Sequence, residues 1–188
     1  MSQTKKQAIL DTALDLFVEN GIDGTSIREI AEGANTAEGN IYRHFKSKKD
    51  LARQLFLECA NKFRSAFEDA IAHLDDPEKQ VEAIVRAIFD FSIQRKREFA
   101  YILVVNHREE IINKNILSKP LPKDLFANIL EDGIESGVFR PMDSTIAVAW
   151  IVGMVQRSFT FIQQGITTLP HDDVVEQTVD AALQMIKT

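Results

Sequence analysis

Between Gly24 and Leu51 two short apolar stripes flank a tight turn, and no other stretch of the chain constrains the fold as much. Thr25 stands where it can N-cap a helix whose inner face is Ile27, Ile30 and Ala31. Gly33 to Asn35 is long enough to join two short helices at a steep angle, and Asn tolerates the left-handed conformation better than most residues other than Gly. The next helix buries Ile41 and Phe45, spaced i, i+4, and turns Ala37, Glu38, Asn40, Arg43 and His44 outward. Two helices, a tight turn and small or polar residues on the second helix describe a helix-turn-helix, whose second helix can lie in a major groove. The pattern alone is also compatible with a structural three-helix corner.

Charge does not decide between these readings in bulk, because the 188 residues carry a net charge of −6. Its distribution is more informative. Residues 41–50 hold Arg43, Lys46, Lys48 and Lys49 against Asp50 alone, together with Tyr42 and His44. Tyr42 and His44 can donate to phosphates, Ser47 or its neighbour opens the following helix, and Lys48 adds charge at a helix start that attracts anions. Such contacts would set the register on DNA, while side chains of the recognition helix read bases. Asn40 can pair with adenine, Arg43 with guanine, and Glu38 can accept from cytosine.

The rest of the chain is helical in period, with no strand alternation and no repeat. Ile9, Ala13, Leu16 and Phe17 make one helical face, and Gly21 predicts a left-handed stop with Ile22 folding back on Phe17. The same ending recurs at Gln164-Gly165-Ile166 and Ser136-Gly137-Val138. Asp76-Pro77-Glu78, Asp143 and Pro170 read as helix starts, and Ser118 to Pro122 as a loop. The expectation is an all-α protein of about nine helices, near 4–20, 26–33, 37–44, 48–73, 77–95, 97–114, 122–136, 143–164 and 170–187. Short helices give way to long ones near residue 47, which predicts a helix-turn-helix domain over 1–47 and a helical domain over 48–188.

Several classes find no support. The single Cys59 cannot make an intramolecular disulfide framework or a thiolate zinc site, and the polar start from Met1 to Lys6 is unlike a secretory leader, so the expected compartment is the cytoplasm. The longest apolar run, Ile146 to Val155, falls short of the roughly 20 residues a membrane span needs. No Gly-rich phosphate loop, nucleophile elbow or Cys–His pair stands out, and His107 with Glu110 has no second pair to complete a metal site. No enzyme activity, metal or cofactor is expected.

Residues 24–51 resemble the DNA-binding domain of the tetracycline-repressor (TetR) family of bacterial transcriptional regulators. The likeness rests on Thr25-Ser26-Ile27-Arg28-Glu29-Ile30-Ala31, Gly39, Ile41-Tyr42, His44-Phe45, Ser47-Lys48 and Leu51, with Ala13, Phe17, Gly21 and Gly24 before them. It covers about the first 55 residues and agrees in order and spacing. The chain departs from the family at Asn35, where Gly is usual, at Thr36, where an apolar residue is usual, and at Ala37, where Ser or Thr is usual. The capping hydroxyl is thereby expected at Thr36. The resemblance implies a homodimer on a double-stranded, (pseudo)palindromic operator, acting most often as a repressor. It adds Thr25 to the phosphate set of Tyr42, His44, Ser47 and Lys48, and adds Thr36 and Ala37 to the base readers Glu38, Asn40 and Arg43.

The resemblance also implies a C-terminal domain that binds a small effector and dimerises. Dimerisation has support in the residues themselves, since the run from Ile146 to Val155 is apolar on all sides and must be covered all round. Ala147, Trp150 and Met154, with Val175, Val179 and Leu183 of the last helix, are the candidate interface. Phe63, Phe67, Phe89, Tyr101, Val105, Asn106 and Phe126 are the candidate effector pocket, which favours a largely apolar ligand. Two other classes remain open on the residues alone: a dimeric helical interaction module that binds no DNA, and a helical enzyme with a DNA-binding-like corner.

Overall fold

The computed structural model describes residues 5–103, 105 and 120–187. Its elements are α1 (Lys5–Gly24), α2 (Ile27–Gly33), α3 (Glu38–His44), α4 (Lys48–Ile71), α5 (Pro77–Gln94), α6 (Lys96–Leu103), α7 (Pro122–Glu135), α8 (Ser144–Gln163) and α9 (His171–Ile186). Among the described residues this is the all-α chain that the periodicity predicts, with one isolated bridge between Phe139 and Lys187. The part of the expected 97–114 helix beyond Val105 lies outside the described residues, as does most of the expected loop before Leu121.

Local chemistry explains most helix ends. Asp76 accepts at Oδ1 from the N–H of Glu78 at 2.9 Å, and Asp143 from that of Ile146 at 2.9 Å. Asn35 has φ 48°, and the N–H groups of Asn35 and Thr36 reach back to Glu32 and Ala31 in a Schellman stop. Gly137 and Gly165 close α7 and α8 with the same pair of bonds. Gly21 departs from this pattern. Its φ of 74° comes with ψ of 166°, outside the left-handed helical well, so the chain kinks there and winds on to Gly24 instead of stopping.

The chain divides into two compact units, and the division falls inside α4. Among the described residues the first takes 5–60, 95–103 and 105, and the second 61–94 and 120–187. In the first, α1 packs on α2, α3 and α6 around Ile9, Ala13, Phe17, Ile30, Ile41 and Phe45, all buried. In the second, α5 packs on α7, α8 and α9 through Val81, Ile84, Val85 and Ile88. A salt bridge from Arg86 of α5 to Glu176 of α9, 2.6 Å long, ties two of these helices. Phe139 lies against Gly133, where an added Cβ would overlap the ring, so that position admits no larger residue without displacement.

The helix α8 has two unlike sides. Ala147, Val148, Ile151 and Val155 are buried in the second unit, while Ile146, Trp150 and Phe161 are exposed by 46%, 49% and 40%. Its most apolar window has a mean hydropathy of 1.4 with only 22% buried, enough by length and composition to cross a membrane. The helix nevertheless carries Arg157 and packs on α5, α7 and α9. The uniformly apolar sequence therefore conceals a core face and an uncovered face.

Candidate nucleic-acid interface

The outward side of the helix-turn-helix rests on a frame of hydrogen bonds. Ser26, not Thr25, caps α2: its Oγ accepts from the Glu29 N–H at 3.1 Å, and the Glu29 carboxylate accepts from the Ser26 N–H at 2.7 Å. The Ser26 hydroxyl also donates to Glu29 Oε2 at 2.7 Å, and this bond first and that from the Ser26 N–H second hold the Glu29 carboxyl below the usual range. Thr25 is 1% exposed and donates its hydroxyl to the carbonyls of Leu16 at 3.1 Å and Gly21 at 2.9 Å. This corrects the expected cap: Thr25 does not cap α2, and its single O–H is spent on the kink that ends the straight part of α1.

At the start of α4, Ser47 accepts at Oγ from the Asp50 N–H at 3.1 Å, and Asp50 accepts from the Lys46 N–H at 2.9 Å. A hydroxyl that accepts in this way still has its O–H to donate. Burial pushes the Asp50 carboxyl up, but hydrogen bonds from Arg53, the Lys46 N–H and Gln54 outweigh it and hold the group below the usual range. Lys48 folds back: its Nζ donates to the carbonyls of Thr25 at 2.6 Å and Asp23 at 3.4 Å, which joins the start of α4 to the α1–α2 turn.

On α3 the backbone of Ala37 stands at the N-cap with no side-chain cap, and the hydroxyl of Thr36 does not replace it. Thr36 Oγ1 instead accepts from Asn40 Nδ2 at 2.9 Å. The bond fixes the Asn40 amide and leaves its Oδ1 and second N–H for a base edge. Ala37, Glu38, Arg43, His44 and Tyr42 are exposed, the last by 54%, and Asn40 and Thr36 are half-buried. Behind them Phe45 is buried, with the Lys6 ammonium 5.6 Å from its ring centroid. Small and polar side chains thus line one side of α3, and Ile41 and Phe45 hold the other side to the core. Lys6 was not among the expected residues, and only the fold brings it beside α3.

The other expected sites divide differently. Phe63, Phe67, Phe89 and Phe126 are buried in the second unit, where Phe63 lies 4.7 Å from both Phe67 and Phe91, ring centre to ring centre. Tyr101 is a core residue of the first unit. It stacks on Phe17 at 6.0 Å and donates its hydroxyl to the Ala52 carbonyl at 2.9 Å, so it offers an effector neither surface nor a free polar group. Val105 is half-buried, and Asn106 and His107 lie outside the described residues. Of the expected interface, Ala147, Val175 and Val179 are buried within the chain. Trp150 is exposed, and Met154 and Leu183 are half-buried. Beside them a groove of about 590 Å³, lined by Met154, Arg157, Phe161, Leu169, Val174 and Gln177, runs between α8 and α9. No group of three or more His, Cys, Asp or Glu able to hold a metal occurs among the described residues.

Two family models match. Residues 9–55 match bacterial regulatory proteins of the tetR family, and residues 74–186 match a tetracyclin repressor-like C-terminal domain. The HTH-type transcriptional repressor KstR2 of Mycobacterium tuberculosis is 24% identical over 148 residues, covering 73% of this chain and 70% of the relative. The fatty acid metabolism regulator protein of Bacillus subtilis is 24% identical over 160 residues, covering 83% and 82%. A tetR-family regulator structure from Shewanella sp. PV-4 superposes with a TM-score of 0.84 at 22% identity, over 99% of this chain and 100% of that one, which shows a shared fold.

Proposed function

The chain belongs to the tetR family of bacterial regulatory proteins, and on that premise we propose that it is a ligand-responsive transcriptional repressor, binding a (pseudo)palindromic operator as a homodimer. The observation that carries the reading is the α3 surface. Its outward residues are small or polar, Asn40 is held ready by Thr36, and exposed Tyr42 and His44 flank it with Ser47 at the next helix start. Base readout is assigned to Thr36, Ala37, Glu38, Asn40 and Arg43, and backbone contact to Tyr42, His44, Ser47 and Lys48.

Two-fold symmetry supplies the second recognition helix. A dimer sets its two α3 helices on successive major-groove faces, roughly 34 Å or a multiple apart. The exposed side of α8, with Ile146, Trp150 and Phe161, and the adjoining groove on α9 are the partner surface. A partner there also accounts for an apolar helix left mostly uncovered in one chain. Residues 1–47 would then serve DNA and residues 48–188 the effector and the dimer, in the cytoplasm.

Release needs an effector that binds the DNA-free dimer more tightly, since equal affinity for both states shifts nothing. The lever is α4, whose first turn carries Lys48 and whose later turns carry Phe63 and Phe67. A coupling of about 1–3 kcal/mol, or roughly 5- to 150-fold in affinity, is typical of such systems. The test is fluorescence anisotropy at fixed salt with a duplex from the gene's own upstream region and a shuffled duplex of equal composition. Preference for the upstream duplex supports the reading, and equal binding to both contradicts it.

A further inference from the structure

Lys6, in α1, holds its ammonium 5.6 Å from the ring centroid of Phe45, the C-cap residue of α3. The Phe45 ring is 1% exposed and lies 6.2 Å, centre to centre, from the imidazole of exposed His44. At these distances from one ring, the Lys6 ammonium and the His44 imidazole are at most about 12 Å apart. One strand of DNA carries a phosphate about every 3.4 Å along its axis, so about three of them fit that span.

A cation over an aromatic face is held by the ring quadrupole and engages no oxygen. Lys6 has no ion pair or hydrogen bond among the described residues. By contrast, Lys123 pairs with Asp124, Lys187 with Glu78, and Lys48 with two backbone carbonyls. Acids are not scarce, since the chain carries 28 Asp and Glu against 22 Lys and Arg. The N–H donors of the Lys6 ammonium therefore remain for an anion.

We propose that Lys6 is a further DNA-contacting residue: its ammonium, held on the Phe45 ring beside α3, binds a backbone phosphate of the half-site that α3 reads. The inference rests on the DNA-binding reading above. It adds a contact from α1 to those of α3 and the start of α4. The target is the backbone because Lys6 lies at the far end of α3, next to His44 and past Thr36 to Asn40.

The experiment uses the full chain with the upstream duplex and the shuffled duplex, titrated by anisotropy between about 50 and 200 mM salt. Lys6→Met keeps the length of the side chain and removes its charge. On both duplexes its salt slope should fall by about 0.9 for each Lys6 in contact. Its deficit in affinity should then shrink by about 3.5-fold per contact across that salt range. Lys6→Gln, neutral but polar, should behave like Lys6→Met, and Lys6→Arg should keep the full slope because it keeps the charge. Selection from a random library should return the same preferred sequence for Lys6→Met as for the unaltered protein, since a phosphate contact carries no base information. An unchanged slope in Lys6→Met, whatever its melting temperature, would reduce the Phe45 contact to a structural one and overturn the proposal. A slope lost equally in Lys6→Arg, or a preferred sequence altered at any position, would also overturn it. The wider reading fails by a different result, equal binding of the two duplexes by the unaltered protein, so the two can fail separately.

Discussion

The Lys48 ammonium lies 2.6 Å from the carbonyl oxygen of Thr25, so the residue best placed by sequence to hold DNA also holds the DNA-binding unit together. Two of its three N–H donors go to backbone carbonyls, and the third remains for a phosphate. Lys48→Ala should therefore lower stability by about 1.5 kcal/mol, the lower end of the scale of a charged hydrogen bond. It should also weaken binding to all DNA sequences alike and reduce the salt slope by about one. Urea melts and salt titrations separate the two roles. An unchanged midpoint removes the tether, and an unchanged slope removes the phosphate contact.

Thr25→Val isolates the buried hydroxyl. The substitution keeps the shape and deletes the donor to Leu16 and Gly21. Stability should fall by about 1 kcal/mol while the salt slope stays as it was. A change in slope at unchanged stability would return Thr25 to the phosphate set.

The Thr36–Asn40 bond couples two of the proposed base readers, so that the position read by Asn40 also depends on Thr36. Asn40→Ala should relax preference at one base position per half-site, at a cost of about 1–3 kcal/mol. Thr36→Val should blur the same position to a smaller degree, because Asn40 is present but no longer fixed. Adding Thr36→Val to Asn40→Ala should then have little further effect there. Selection of binding sites from a random library measures all three, and a uniform loss on every sequence would show that Asn40 positions the protein instead of reading bases.

Trp150→Glu places a charge on the exposed side of α8 without disturbing its core side. The variant should sediment as a monomer with an unchanged helical circular dichroism spectrum. Its affinity for a full operator should fall by about 10²-fold or more, since the second half-site is no longer held at high effective concentration. A dimer that survives this change does not use that surface.

What could be read from the sequence, and what could not, follows the range of the interactions. Asp76, Asp143, Asn35, Gly137 and Gly165 act on neighbours within a turn or two, and their caps and stops are visible as spacing. Thr25 and Ser26 are adjacent hydroxyls with equal local claims to the cap. The choice is made by the Leu16 carbonyl nine residues back, which no local pattern displays. Tyr101 reads as one aromatic among many until Phe17 and the Ala52 carbonyl meet it. In α8 nearly every position is apolar, so periodicity could not separate Ala147, turned inward, from Trp150, turned out. The burial of Arg64 Nε and Nη1 is illegible for the opposite reason: a charged residue four positions from a glutamate looks like an ordinary surface pair.

The central claim is that two α3 helices of one dimer read DNA together. Hydroxyl-radical footprinting of the protein on its own upstream region tests this most directly. The account predicts two protected patches related by a two-fold axis, centred roughly one helical turn or a whole number of turns apart, on a (pseudo)palindromic sequence. Both patches should be lost together in Trp150→Glu at concentrations that saturate the unaltered protein. A single patch, protection without two-fold symmetry, or no protection at concentrations that saturate nonspecific binding would contradict it.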